Sequence, residues 1–191
     1  MSKISKVIAR QVFDSRGNPT VEAEVFSNNY SSSSICPSGA STGTFEAYEK
    51  RDNNKNLYKG KSVFKAVKTI NTIIAKKLIN QNVHNQEKVD HILLKMDGTK
   101  QKKKLGANSM LAVSMAVKKL SSKIKKIPLY KNFLITKNFL LPYPLMNIIN
   151  GGVHANNGLQ IQEFMIRPDG AKSFNQAIKM CFSVIYNLKK I

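Results

Sequence analysis

For a chain carrying so much positive charge, this one has very little arginine. Lys and Arg total 31 against 11 Asp and Glu, a formal net charge of +20. Only Arg10, Arg16, Arg51 and Arg167 supply guanidinium groups. Nucleic-acid sites lean on Arg for bidentate contacts and on aromatic side chains for stacking. Here Lys rises together with Asn and Ile, a drift across the whole chain. The expectation is a solvated lysine surface rather than a polyanion-binding face. Cysteine is equally scarce. Cys36 and Cys181 lie far apart, which gives no disulfide framework and no metal-ligand spacing, and leaves two free thiols of a reducing compartment. No run reaches the ~18 apolar residues of a membrane span, because Pro142, Pro144, Asn147 and Asn150 interrupt the most apolar region. The opening Met1–Lys6 lacks the apolar stretch of a signal peptide. Together these absences predict a cytoplasmic protein with no membrane span.

What is present supports a packed core. Apolar residues make up 42% of 191 residues, enough for one large domain or a domain and part of another. Ile4–Phe13 reads as a strand, and the turn formers Asp14–Pro19 follow it. Thr20–Phe26 alternates Val21, Ala23 and Val25 with Glu22 and Glu24, the period of a half-exposed strand. Ser27–Ser34 reads as a polar turn, with a third strand at Ser34–Pro37. Thr44–Asp52 predicts a short helix. Longer helices are predicted over Gly60–Ile79, Gln86–Met96 and Leu105–Ser122 from apolar residues spaced three to four apart. The last of these is apolar nearly all round, which predicts burial between other elements. Pro128 ends it, and a linking segment runs to about Asn138. His84 and His91 have no acidic or cysteine partner at metal spacing and read as surface histidines. Strands followed by helices imply an α+β domain.

A second region begins near Leu141. Two apolar runs, Leu145–Ile149 and Leu159–Ile166, flank a glycine-rich polar gap, and the second carries Gln162 and Glu163. A closing helix is predicted over Ala171–Lys190, with Phe174, Ile178, Cys181, Val184, Ile185 and Leu188 inward. Strand, strand, helix is the opening of a barrel or a doubly wound sheet. Upstream, Ser38-Gly39-Ala40-Ser41-Thr42-Gly43 lets backbone approach a ligand closely. It lacks the Lys-Ser/Thr of a phosphate-binding P-loop, and by itself it reads as an ordinary flexible turn.

Six segments, in order, carry a resemblance. They are Phe13–Glu22 (FDSRGNPTVE), Pro37–Gly43 (PSGASTG), Gly106-Ala107-Asn108, Pro128-Leu129-Tyr130, Met146–Ala155 (MNIINGGVHA) and Gln162–Ile166 (QEFMI). In them the chain resembles enolase, the phosphopyruvate hydratase of glycolysis, a lyase. The resemblance implies an amino-terminal α+β domain, an antiparallel meander plus helices, over residues 1–138. It implies that residues 139–191 are the first strands and helix of an incomplete (β/α) barrel. It further implies dehydration of 2-phosphoglycerate to phosphoenolpyruvate with Mg²⁺, in a family that forms homodimers. The enolase-superfamily pattern is a Lys base with Mg²⁺ stabilising the ene-diolate. Carried over by position, Ser41 would ligate a second magnesium through the family's lid loop. His154 would lie near the substrate phosphate. Gln162 and Glu163 would line the substrate pocket, with Glu163 assisting departure of the hydroxyl.

The resemblance also marks what the chain does not carry. Leu141–Ile191 falls far short of the roughly 200–250 residues of a complete barrel. Only Glu163 and Asp169 are acidic after Leu141, too few for the family's metal carboxylates, and no lysine falls at a strand end to act as base. The expectation is a truncated chain, inactive by itself. The alternative is a non-catalytic module that binds a polyanion or docks on a longer enolase.

Overall fold

The structure, a computed structural model, describes residues 2–39, 43–133 and 139–191. The chain divides into two compact units, residues 1–134 and 135–191.

The first unit is built on a three-stranded antiparallel sheet, in the order β1 (Lys6–Phe13), β2 (Pro19–Ser27), β3 (Tyr30–Cys36). The alternation in β2 is realised: Val21, Ala23 and Val25 are fully buried. On the opposite face, Arg10 of β1 pairs with Glu22 at 3.1 Å and with Glu24. Asp14 Oδ1 accepts from the backbone of Arg16 and Asn18 at 2.9 and 2.8 Å and closes the first hairpin, with Gly17 at φ 73°. β3 starts earlier than the serine run suggests. The second hairpin turns on Asn28 and Asn29 alone, Asn28 at φ 51°, and Ser31–Ser34 are paired strand residues. Strand propensity is set by the neighbouring strand as much as by the side chain, and apolar β2 supplies the template.

Helices and a π-helical turn pack around this sheet. α1 (Phe64–Thr69), a π turn (Ile70–Ile74) and α2 (Ala75–Leu78) form one rod, shorter at its start than the periodicity predicts. Its N-terminal amides are capped from a distance: Asp52 accepts from Phe64 N at 2.9 Å and Lys65 N at 2.7 Å. In the π turn, Asn71 Oδ1 accepts from Ala9 N at 2.7 Å, and its Nδ2 donates to Ala9 O at 3.0 Å. α3 (Gln86–Asp97) starts at Asn85, whose side chain accepts from Lys88 N, and stops at Gly98 with φ 68°. His84 precedes α3 and its Nδ1 lies 2.9 Å from Ser121 Oγ.

α4 (Ala107–Lys125) lies across β2 and β3 and buries Ala112, Val113, Ala116, Val117 and Leu120. Leu111 stays 49% exposed, so α4 is not enclosed all round. Residues 44–52 are not helical. Their backbone bonds go sideways instead: Tyr48 N donates to Gln101 O, Ala107 N to Tyr48 O, and Lys50 exchanges two bonds with the Asn108 amide. Gly106 permits that contact, since a Cβ there would fall 2.5 Å from Lys50 Cβ. α5 (Leu129–Phe133) occupies what sequence alone reads as a linker, with Lys131 N bonded to Pro128 O.

The second unit contains β4 (Met146–Asn150), β5 (Glu163–Ile166) and α6 (Phe174–Leu188). β5 is half the length of the apolar run from Leu159, because residues 155–162 form an irregular excursion. β4 and β5 pair antiparallel with a bulge between Asn147 and Ile149. Eight-stranded (β/α) barrels are parallel throughout, and no closed barrel forms among the described residues. α6 begins at Ser173, whose Oγ accepts from Gln176 N. It buries only Ala177 and Cys181; Phe174, Ile178, Val184 and Leu188 are exposed. A two-stranded ribbon has too little surface to cover a helix of this width. Among the described residues no helix is long and apolar enough to cross a membrane.

Candidate functional site

The hairpin of the second unit gathers three polar side chains. Gly151 N donates to Gln162 O at 2.8 Å, and Gly152 N donates to Leu159 O at 2.7 Å. This approach requires glycine: a Cβ on Gly151 would sit 2.3 Å from Ile161 O, and Gly152 has φ 54°. The contact lays residues 159–162 against 151–152 and delivers Gln162 and Glu163 beside His154. His154 Nδ1 lies 3.1 Å from Glu163 Oε1, and Gln162 Nε2 lies 2.8 Å from His154 Nε2. The same amide nitrogen lies 3.4 Å from His154 Nδ1, so it rests against the ring rather than at the end of one lone pair. His154 Nδ1 faces the Glu163 carboxylate. The side chains of His154 and Glu163 are 22% and 29% exposed, open to solvent yet mutually fixed. The arrangement holds the imidazole between an amide and a carboxylate and can present a carboxylate edge to a ligand.

The glycine-rich loop belongs to the first unit. Ser41 lies outside the described residues. Both flanks of the loop are tied. Ser38 O accepts from Arg16 Nη2 at 2.6 Å; Ser38 Oγ donates to Glu49 Oε1 at 2.6 Å and accepts from Arg51 Nη2 at 2.7 Å. Arg51 also pairs with Glu49 at 2.9 Å. On the other flank Gly43 N donates to Glu46 Oε1 at 2.7 Å. Beneath lies a cavity of about 340 Å³ lined by residues that include Cys36, Glu46, Glu49, Asn108 and Leu111. Burial, with the Glu49 charge nearby, pushes the Cys36 thiol up to about 11, so this thiol is not an activated nucleophile. The anchoring role of Arg16, Glu49 and Arg51 is not visible in residue order, which reads residues 44–52 as a helix that does not form.

Magnesium takes six oxygen ligands in near-octahedral geometry. No three His, Cys, Asp or Glu side chains gather to hold a metal among the described residues. Glu163 is the one carboxylate in the hairpin cluster, and it is already bonded to His154. The described residues therefore do not fit a complete magnesium site.

The enolase N-terminal domain model matches residues 4–133. The chain belongs to the enolase family. The model of the enolase C-terminal TIM barrel domain matches residues 138–191. Among curated relatives, the chain is similar to the enolase of Pelagibacter ubique, 67% identical over 191 residues, covering 100% of this chain and 46% of the relative. It is similar to that of Ehrlichia canis, 52% identical over 189 residues, covering 98% and 45%. It is 52% identical to that of Methanococcus maripaludis over 190 residues, covering 98% and 44%. The chain thus spans about half the length of the curated enolases it matches. Its fold is an enolase N-terminal domain followed by a short start of the barrel domain.

Proposed function

We propose that this chain supplies part of an enolase that dehydrates 2-phosphoglycerate to phosphoenolpyruvate in the cytoplasm, within a homodimer. The observation that carries the reading is the His154–Gln162–Glu163 cluster, held at a glycine-tight hairpin in a chain of this family. His154 contributes a polar ring edge toward the substrate phosphate. Gln162 packs its amide against that ring. Glu163 orients and assists the departing hydroxyl. Departure of hydroxide needs a proton or a strong donor nearby, and the Glu163 carboxyl, held against His154, would stand beside the leaving group. Ser41, on the loop rooted at Ser38, is the proposed contact to magnesium. That ion, when bound, supplies positive charge to the developing ene-diolate.

The 191-residue chain by itself is proposed to be inactive, because residues 139–191 hold only two carboxylates, Glu163 and Asp169. Asp169 is engaged by Arg167. The test is a phosphoenolpyruvate absorbance assay with Mg²⁺. It is run on the chain alone and on the chain mixed with the remaining barrel segment of the Pelagibacter ubique enolase. No turnover alone and turnover with the added segment is the expected result. Turnover of the chain alone at ordinary enolase rates would overturn the inactivity. Failure of Glu163→Gln to reduce the reconstituted rate would remove Glu163 from the site.

A further inference from the structure

β3 is the last strand of its sheet, and it carries none of the usual defences of an edge strand. It is seven residues long, with no proline and no charge of its own. It pairs with β2 without a register shift from Ser27↔Tyr30 to Val21↔Cys36. Its centre is four serines, too small to obstruct another strand. A flat, regular, uncharged edge of this kind is a template for pairing with a second chain. The opposite edge is guarded differently: the Asn71 amide occupies both the N–H and the C=O of Ala9 on β1.

At β3 the protection comes from α4. Lys123 Nζ donates to Ser31 O at 3.0 Å. One helical turn earlier, Lys119 Nζ donates to Ser33 O at 3.3 Å and to Ser34 Oγ at 3.1 Å. Spacing of four residues on a helix puts both stems on one side, and the carbonyls they reach are alternate residues of one strand. Alternate carbonyls of an edge strand are the acceptors that an added strand must use. Two ammonium groups therefore occupy two of the acceptors that a new strand would need, and that strand would have to break both charge-assisted bonds to enter.

We propose that Lys119 and Lys123 form a charged guard on β3, and that the surface they cover is a site for antiparallel β3–β3 pairing with a second copy of this chain. Identical uncharged strands of matching length meet there about a two-fold axis, and each offers the same alternate donors and acceptors. Sedimentation velocity over a concentration series, together with amide hydrogen exchange at Ser31 and Ser33, tests this on the full chain. The pair Lys119→Ala with Lys123→Ala is expected to associate at a concentration about tenfold or more below that of the unsubstituted chain. Exchange at Ser31 and Ser33 slows as it does so. The pair Lys119→Arg with Lys123→Arg keeps the unsubstituted behaviour. Lys123→Ala alone, at an exposed position that leaves α4 packing intact, gives an intermediate shift. If both alanine variants sediment as the unsubstituted chain does, the proposal fails. It fails equally if they associate while Ser31 and Ser33 exchange at the original rate.

Discussion

Asp97 shows how much a single carboxylate can hold. It is 3% exposed and accepts from Leu105 N at 2.7 Å, from Thr99 N at 3.0 Å and from Thr99 Oγ1. These bonds close the basic loop between α3 and α4. Burial pushes the Asp97 carboxyl up, but the bonds from Leu105, Thr99 and Lys104 outweigh it and leave its pKa below the usual 3.8. Asp52 is lowered in the same way: burial is opposed and outweighed by amides at the start of α1. A carboxyl with a depressed folded pKa stabilises the fold fully above its unfolded value, and that contribution is lost as pH falls through the folded value. His84, lowered from 6.5 by burial and by Lys125, acts in the same direction, because its protonation is disfavoured in the fold. Stability is therefore expected to begin declining below pH 6.5 and to fall further below 3.8. Asp97→Asn should flatten the lower limb of that decline. Asp97→Ala leaves the buried Leu105 amide unpaired and should cost about 2–3 kcal/mol in denaturant unfolding. A loss under half a kcal/mol would mean that the loop is held by other contacts.

At the scale of elements, legibility followed burial. The alternation of β2 and the periodicity of α3 were readable because one face of each meets a core that the chain itself supplies, Val21 and Val25 of β2 and Val89 and Leu93 of α3 belonging to the same cluster. The serines of β3 were not, because their strand state comes from pairing with β2 and not from their own side chains. Residues 44–52 show helical charge spacing, yet their backbone groups are taken by Gln101, Ala107 and Asn108. That is a tertiary effect which no local pattern encodes. The hairpin site is a mixed case. Gly151-Gly152 signals a close approach and the Gln162-Glu163 pair signals a polar wall, but the His154 contact depends on the irregular path of 155–162. The π turn was illegible too, and it carries a testable consequence. Its widened turn directs Asn71 onto the edge of β1. Asn71→Ala removes two bonds to a half-buried backbone unit and should cost about 1–2 kcal/mol. It should also raise amide exchange at Ala9 selectively, while Ala23 on β2 stays protected. Uniform exchange across the sheet would count against a local role.

The two units differ most in how they treat apolar surface. The first encloses a continuous core from Ile4 through Leu120, with Ile70, Ile74, Leu78 and Leu93 nearly or fully inaccessible. The second leaves Leu141 at 73%, Leu145 at 64% and Phe182 at 65% exposed. Phe182 and Tyr186 stack on each other, with ring centroids 5.9 Å apart, for want of a wider surface to cover them. Cooperative unfolding needs a core that all its elements share, and the first unit builds a continuous core from its own residues. Residues 2–133 produced alone are expected to melt within a few degrees of the first transition of the full chain. The full chain should bind a hydrophobic dye such as ANS, and the isolated 2–133 segment should bind several-fold less, as exposed apolar patches predict. Calorimetry and dye fluorescence on the two proteins decide the matter together. A single transition that is lost when residues 139–191 are removed would show that the first core depends on the second unit, and dye binding that survives the removal would place the sticky surface on the first.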